Sequence, residues 1–461
     1  MGNFLKHKLA PWEISLPAIG LNMPATIRSE IAPTLKLAVP IMLGMLGYGL
    51  MFVIDVTMAG QLGETALAAS ALAANLNYIP YVFGIGVVGA VAVYQSQDNG
   101  AGVEESSPAI LRHGMSLALG YSLLAATLTH FSAQFLTKLG SAPAVVATAH
   151  DFYIIMAWAM VPGLLFHALR GHRDSQHQPW ISLVWLSIGL LANIFLNGLW
   201  MYGHWGFSSF GLAGAGWATL VSRFIMLIGL WFTPGRGAVN WAEGLQRKVF
   251  ARLLKTGWPA GLHSLSEVGI FAVVPIFAGW ISLTAQAAHQ VAISTASAAF
   301  MLPLGLGIAA GIRIGEAYGA KDVQRMRAVG WGALIMGCVI MSVYGLAMIL
   351  MRPLLLTVYG VSGTETATLA STLLIFAAVW APFDGVQVVA AYLLRSVNCA
   401  AWASWSVFIV YWIITLPLAL LLAFPMGMGA VGIWIALAAG LILVALAMTW
   451  KFSRATRNSE I

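Results

Sequence analysis

Residues 35–60 read LKLAVPIMLGMLGYGLMFVIDVTMAG, and residues 254–279 read LKTGWPAGLHSLSEVGIFAVVPIFAG. Both open on Leu-Lys, place a proline at the same position (Pro40, Pro259) and close on Ala-Gly. Between those marks the residues are almost all apolar, and each run holds a single carboxylate, Asp55 or Glu267. A continuous apolar run of about 20 residues or more matches a helix through about 30 Å of hydrocarbon. Barrel strands alternate apolar and polar instead, so the reading is helical.

The likeness extends outward from the two runs. Residues 35–101 align with 254–320 without a gap at an offset of 219, with 17 of 67 positions identical. Weaker echoes pair Arg173–Trp180 with Arg395–Trp402, and Gly211 and Gly216 with Gly427 and Gly432. The chain is therefore a tandem duplication. Of its 461 residues 60% are apolar and 8% charged, whereas soluble domains run near 45–50% and about 25%. No soluble surface can be built from so few charges. Helices are expected near 34–59, 65–96, 110–137, 145–169, 179–201, 212–233, 250–280, 285–312, 326–350, 367–394, 402–424 and 428–451. The breakers that divide the longest runs are Tyr202-Gly203-His204-Trp205-Gly206, Trp280 to Thr284, and Pro425-Met426-Gly427-Met428-Gly429.

Twelve helices make six per repeat. An even number returns the chain to its starting side, so the halves are parallel repeats about an axis along the membrane normal, with binding at their interface. The expected organisation is a cytoplasmic tail 1–33, an N-lobe 34–233, a cytoplasmic linker 234–249, a C-lobe 250–451 and a cytoplasmic tail 452–461. Of 23 Lys and Arg, all but Lys138, Arg352 and Arg223 fall on one side. Positive residues favour the cytoplasm, which puts both termini inside. That distribution accounts for the net charge of +7 without nucleic acid: there is no basic patch or aromatic-interleaved stripe. Cys338 and Cys399 cannot form a disulfide framework. No apolar stretch in the first 30 residues resembles a signal peptide. No phosphate-binding Gly-rich loop occurs, which argues against direct ATP drive.

A charge at mid-bilayer costs about 2.5–3.5 kcal/mol on insertion scales and marks function by default. Asp55, Glu267 and Asp384 interrupt three expected helices. The repeat equates Glu267 with Tyr48 and Asp55 with Val274. The two carboxylates thus differ by seven residues, about 10 Å along one helix face. Asp384 lies in Ala381-Pro382-Phe383-Asp384-Gly385, where freed carbonyls suit a small hard cation and the carboxyl equally suits a proton. The competing reading is an Asp capping its own kinked helix. His263 precedes Glu267 by four residues on the same face, as a proton relay or as a packed neutral His bonded to Glu267. Asn193 and Asn197 share a face, as do Thr219 and Arg223. With Asp55 they form either an N-lobe polar pocket or interhelical glue, and Arg223 is expected to pair with an acidic or carbonyl group, Asp55 being the first candidate. His167, His172 and His177 have a spacing that fits no single helical face, and read as loop histidines rather than metal ligands. Tyr48 and Phe271 share the carboxylates' faces, for contact with a flat cation or for core packing.

The segment LAVPIMLGMLGYGLMFVIDVTMAGQLGETALAA resembles the first-helix signature of the multidrug and toxic compound extrusion (MATE) transporters. AAHQVAIS, GIRIGEAYGAKD, NIFLNGLWMYG and GLAGAGWATLVSR are similar to further segments of that family, over about residues 34–450. Glu267 with Asp384 resembles the NorM-type branch. The resemblance implies an all-α membrane protein of two six-helix lobes around a V-shaped central cavity. It implies a monomeric antiporter, not an enzyme, in the cell (inner) membrane, exporting amphipathic, often cationic compounds by alternating access. Na+ or H+ would be the coupling ion and no cofactor is expected. Lipids and small molecules would be the partners. Na+ or H+ would bind at Glu267 and Asp384, with Asp55 contributing. His289 and Gln290, in AAHQVAIS, join Tyr48 and Phe271 as candidates for substrate contact. One branch carries Asp where this chain has Asn197, which counts against a cation site in the N-lobe. The rival readings are a lipid-linked precursor flippase, expected to need a basic cavity, and a membrane-embedded metalloenzyme.

Overall fold

The computed structural model describes residues 25–103, 107–235 and 241–457. The expected tail residues 1–24 and 458–461, and linker residues 236–240, lie outside the described residues. Twelve long helices carry the fold. They are α1 (Ala25–Gln61), α2 (Glu64–Gly100), α3 (Ser107–Ser132), α4 (Pro143–Ser175), α5 (Pro179–Met201) and α6 (Gly211–Phe232) in the first half. The second half holds α7 (Arg247–Ile281), α8 (Leu283–Gly319), α9 (Val323–Leu350), α10 (Glu365–Ser396), α11 (Ala400–Ala423) and α12 (Gly429–Ala455). Eleven of them are long and apolar enough to cross a membrane. The other, α3, has 26 residues with Arg112 as its one formal charge, enough for about 39 Å of rise.

The breaks fall where the breakers predict. After α5 the chain turns at Gly203 (φ 75°) and Gly206 (φ 85°), and before α12 at Gly427 (φ 67°). These are left-handed conformations that glycine adopts without a Cβ penalty. Ser282 separates α7 from α8, and its side chain accepts the Ala285 N–H at 3.0 Å as an N-cap.

The duplication is visible in the backbone. Helices α4 and α10 end at Ser175 and Ser396, and each is followed two residues later by a left-handed residue, His177 or Asn398. The fifth helix of each half changes to π geometry, over Asn197–Met201 in α5 and Ile409–Thr415 in α11. Several helices run further than the apolar pattern implies, α8 among them, which ends at Gly319 rather than near 312. α1 starts at Ala25 rather than near 34, and α4 and α10 continue past 169 and 394. Those extensions are polar, so a search for apolar spans stops short of them. Arg313 holds the α1 extension by donating to the Glu30 carboxylate, the Glu30 carbonyl and Thr34 Oγ1.

The start of α1 and the end of α12 both pack against the start of α9, through Ile27 on Gly332 and Phe452 on Gly330. Both described ends therefore lie on one side, called here the terminal side. The lobes meet through α1 with α8 and α2 with α7. A Cβ on Gly86 would sit 2.6 Å from the Gly261 backbone, one on Gly305 2.6 Å from Met42 Cα, and one on Gly100 would collide with the Glu316 backbone. Small residues permit such close helix crossings where lipid gives no hydrophobic driving force. Along each of α2, α7 and α8 these positions fall in the half nearer the terminal side. The largest core lies in the C-lobe, where Trp380 stacks on Trp434 at 4.6 Å between centroids.

Candidate functional site

In the N-lobe a row of polar side chains runs from α1 through α5 to α6. Asn197 Nδ2 donates to Asp55 Oδ1 at 2.8 Å and to Asn193 Oδ1 at 3.2 Å. Asn193 Nδ2 donates onward to Thr219 Oγ1 at 3.3 Å. Both asparagines are fully buried and Thr219 nearly so. The i, i+4 spacing of the asparagines makes this possible, and the π turn beginning at Asn197 aims its amide at α1. Four of the five residues expected in the pocket are brought together.

Arg223 takes the carbonyl partner of the two expected kinds, not Asp55. Its Nη1 donates to the Ala159 carbonyl at 2.9 Å, and its guanidinium lies 4.7 Å from the Tyr81 ring centroid. No ion pair joins it to Asp55 among the described residues. A helix carbonyl and an aromatic face satisfy a buried guanidinium here in place of a carboxylate.

In the C-lobe, Gln387 Nε2 donates to Glu267 Oε1 at 2.8 Å, and Tyr411 Oη donates to Gln387 Oε1 at 3.0 Å. Gln387 is fully buried. Tyr411 sits inside the π segment of α11, so in both lobes a π turn delivers a polar side chain to the carboxylate network. π turns are rare and cluster at functional sites. Asp384, one turn before Gln387 on α10, lies within electrostatic range of both Glu267 and Tyr411. It accepts no hydrogen bond from another described side chain, which leaves its oxygens free. Carboxylate oxygens of this kind suit a hard cation or a proton.

His263 Nε2 stands 3.8 Å from Glu267 Oε2. That is ion-pair distance but not a hydrogen bond, so the packed, bonded-His reading does not hold as stated. Its Nδ1 is buried without a partner. His289 also differs from expectation: it is 1% exposed, and its Nδ1 accepts Trp434 Nε1 at 3.1 Å. It is a packing residue of the α8–α12 contact. Gln290 is exposed and donates to Ser294 Oγ at 2.9 Å. Phe271 packs on the C-lobe core. Tyr48 stacks on His167 at 5.1 Å.

His167 is a mid-helix residue of α4, not a loop residue, and Tyr81 meets its edge at 6.0 Å. His172 is fully buried with Nδ1 3.1 Å from Gln95 Oε1. Only His177 is in a loop, 2.5 Å from Glu316 Oε1. Gln387 and Tyr411 are site residues that sequence reasoning missed. The available signal for Gln387 was its i+3 position after Asp384; Tyr411 carried none, because its phase depends on the π turn.

A sequence model of the MatE family matches residues 40–199 and 259–421, one segment in each half. The chain belongs to the MatE family. The "probable multidrug resistance protein NorM" of Bradyrhizobium diazoefficiens is 33% identical over 442 residues, covering 94% of this chain and 95% of that protein. Its namesake from Rhodopseudomonas palustris is 34% identical over 444 residues, covering 94% and 93%. The crystal structure of the eukaryotic MATE transporter AtDTX14 has a TM-score of 0.83 at 19% identity, covering 94% of this chain and 99% of that one. The MatE chain is a multi-pass membrane transporter, not an enzyme, as its helices and relatives agree.

Proposed function

We propose that this MatE protein is a cation-coupled antiporter that exports amphipathic, often cationic compounds by alternating access. The relatives' name, multidrug resistance protein, supports the substrate class. The observation that carries the coupling is the pair of carboxylate networks, Asp55–Asn197–Asn193–Thr219 in one lobe and Glu267–Gln387–Tyr411 with Asp384 in the other. Na+ or H+ binds at Glu267 and Asp384 and competes there with a cationic substrate for the same negative charge. Asp55 contributes to substrate or proton coupling. The terminal side is cytoplasmic in the inner cell membrane, since the basic residues gather there. The protein works as a monomer among membrane lipids, with neither cofactor nor nucleic acid.

The test is efflux of a cationic dye from proteoliposomes under a Na+ gradient alone, then a pH gradient alone. Wild type responds to one of them. Glu267→Gln and Asp384→Asn lose gradient-driven efflux by at least tenfold while remaining folded. Full efflux by both variants refutes the assignment.

A further inference from the structure

Between the lobes, on the terminal side of the carboxylates, the structure forms a partly open cavity of about 100 Å³. Its polar lining comes from both repeats: Arg170 and Asp174 of α4, Thr256 and Ser264 of α7, and Tyr392 and Arg395 of α10. Arg170 is 5% exposed and Arg395 8%. Sequence reasoning had counted both among the basic residues of the cytoplasmic rim. The extended ends of α4 and α10 carry them into the interface instead.

The charges at this floor do not balance. Arg170 Nε donates to Asp174 Oδ2 at 3.2 Å, and Ser182 Oγ occupies Asp174 Oδ1 at 2.8 Å. Asp174 is thus committed to one arginine, whose Nη1 still has no partner. Arg395 has no carboxylate within ion-pair distance among the described residues. Its guanidinium lies 4.6 Å from the Tyr392 ring centroid, and its Nε is buried without a partner. A buried cation without a direct ion pair is costly, and an anion brought to it recovers part of that cost. A guanidinium offers a planar fork of donors that fits a carboxylate or similar oxyanion. The cavity has room for an acidic group, since about 10–15 Å³ of such space already holds one water.

Asp384 and Arg395 are eleven residues apart on α10. At 100° and 1.5 Å per residue they share one face, about 16 Å apart along the axis. Acidic groups above and, below on the same face, an arginine with no carboxylate in ion-pair contact match a molecule with a cationic and an anionic end. We propose that Arg395, with Arg170 beside it, is an anion subsite at the floor of the inter-lobe space that takes the carboxylate of a zwitterionic or acidic amphipathic substrate. The proposal rests on the export reading above and adds a specificity residue to it.

A rhodamine with a free carboxylate and its methyl ester differ in this one group. Binding of each dye to the full-length protein in detergent is measured by fluorescence polarisation, and export of each from proteoliposomes by fluorescence. Arg395→Gln weakens binding of the carboxylate dye by at least tenfold and leaves the ester within about twofold of wild type, as expected for loss of one charge-assisted contact. Arg395→Lys, which keeps the charge but not the fork, falls between them and guards against a variant that misfolds. Equal effects on both dyes, or none on either, overturn the proposal. So does a result in which chloride or inorganic phosphate binds at Arg395 but the dyes are not distinguished, since the anion is then a free ion. Wild-type export of the ester keeps the export reading intact whatever the carboxylate dye does; export of neither dye strikes that reading instead.

Discussion

Asn197 gives its one amide nitrogen to two acceptors, Asp55 and Asn193, and its own Oδ1 is buried without a partner. That geometry separates structural glue from coupling chemistry. Interhelical hydrogen bonds in membranes average about 0.6 kcal/mol, with a maximum near 1.7. Asn197→Leu removes two of them and lowers stability by about 1–2 kcal/mol, read as a lower melting temperature in detergent. Asp55→Asn keeps an acceptor oxygen in place and removes only the charge, so its melting temperature stays near wild type. If the carboxylate is part of the coupling, Asp55→Asn nevertheless loses dye efflux. Normal efflux by Asp55→Asn reduces the N-lobe row to glue. At this scale the sequence was informative where partners share a helix. The i, i+4 asparagines and Thr219 were legible, but the partner of Arg223 was not, because periodicity names a face and not the helix that faces it. His289 fails for the same reason: nothing in AAHQVAIS indicates Trp434 on the opposite helix.

The fifth helix of each lobe departs from α geometry where it carries a site residue. Tyr411 is the third residue of the π segment Ile409–Thr415 and reaches Gln387 across the helix contact. A π turn holds one residue more than the α turn it replaces. Deleting Ile409 removes that extra residue, restores regular α geometry and shifts Tyr411 from the position the π turn gives it opposite Gln387. The expected outcome is a protein that still elutes as a single folded species from size-exclusion chromatography and loses gradient-driven efflux by at least tenfold. Efflux at the wild-type rate shows that the π turn is incidental. Helix number, breakers and the six-plus-six division were all readable from runs such as 35–60 and 254–279, since each rests on local composition. The π turns and the polar ends of α1, α4 and α10 were not, since lateral packing stabilises them and apolarity does not mark them.

Across the whole molecule the repeat predicts paired contacts between the lobes, and the terminal side has them. Glu316 corresponds to Gln97 at the offset of 219, and His177 stands where Asn398 stands after the matching helix. His177 Nε2 meets Glu316 Oε1 at 2.5 Å, and Gln97 Nε2 donates to Asn398 Oδ1 at 3.4 Å. One contact of the pair is ionisable and strengthened by Arg325, 3.3 Å from Glu316 Oε2, while its mate is neutral. Asp98 and Arg252 add an ion pair at 2.6 Å across the same gap. Glu316→Gln, or His177→Ala, weakens one latch and shifts the population toward states open on the terminal side. Spin labels on Trp180 and Arg457, one per lobe, then report a larger fraction of long distances in double electron–electron resonance. An unchanged distribution in both variants assigns the latch a purely local role.

The glycine crossing of α2 and α7 carries a mechanical consequence. Gly86 lies 22 residues from the first residue of α2, a lever arm of about 33 Å at 1.5 Å per residue. With the two backbones touching at Gly86 and Gly261, that point is a fulcrum. A rotation of only about 10° there sweeps the far tip of α2 through about 6 Å, roughly the width of an aromatic ring. In the alternating-access cycle proposed above, such leverage would open the mouth opposite the terminal side to a flat solute.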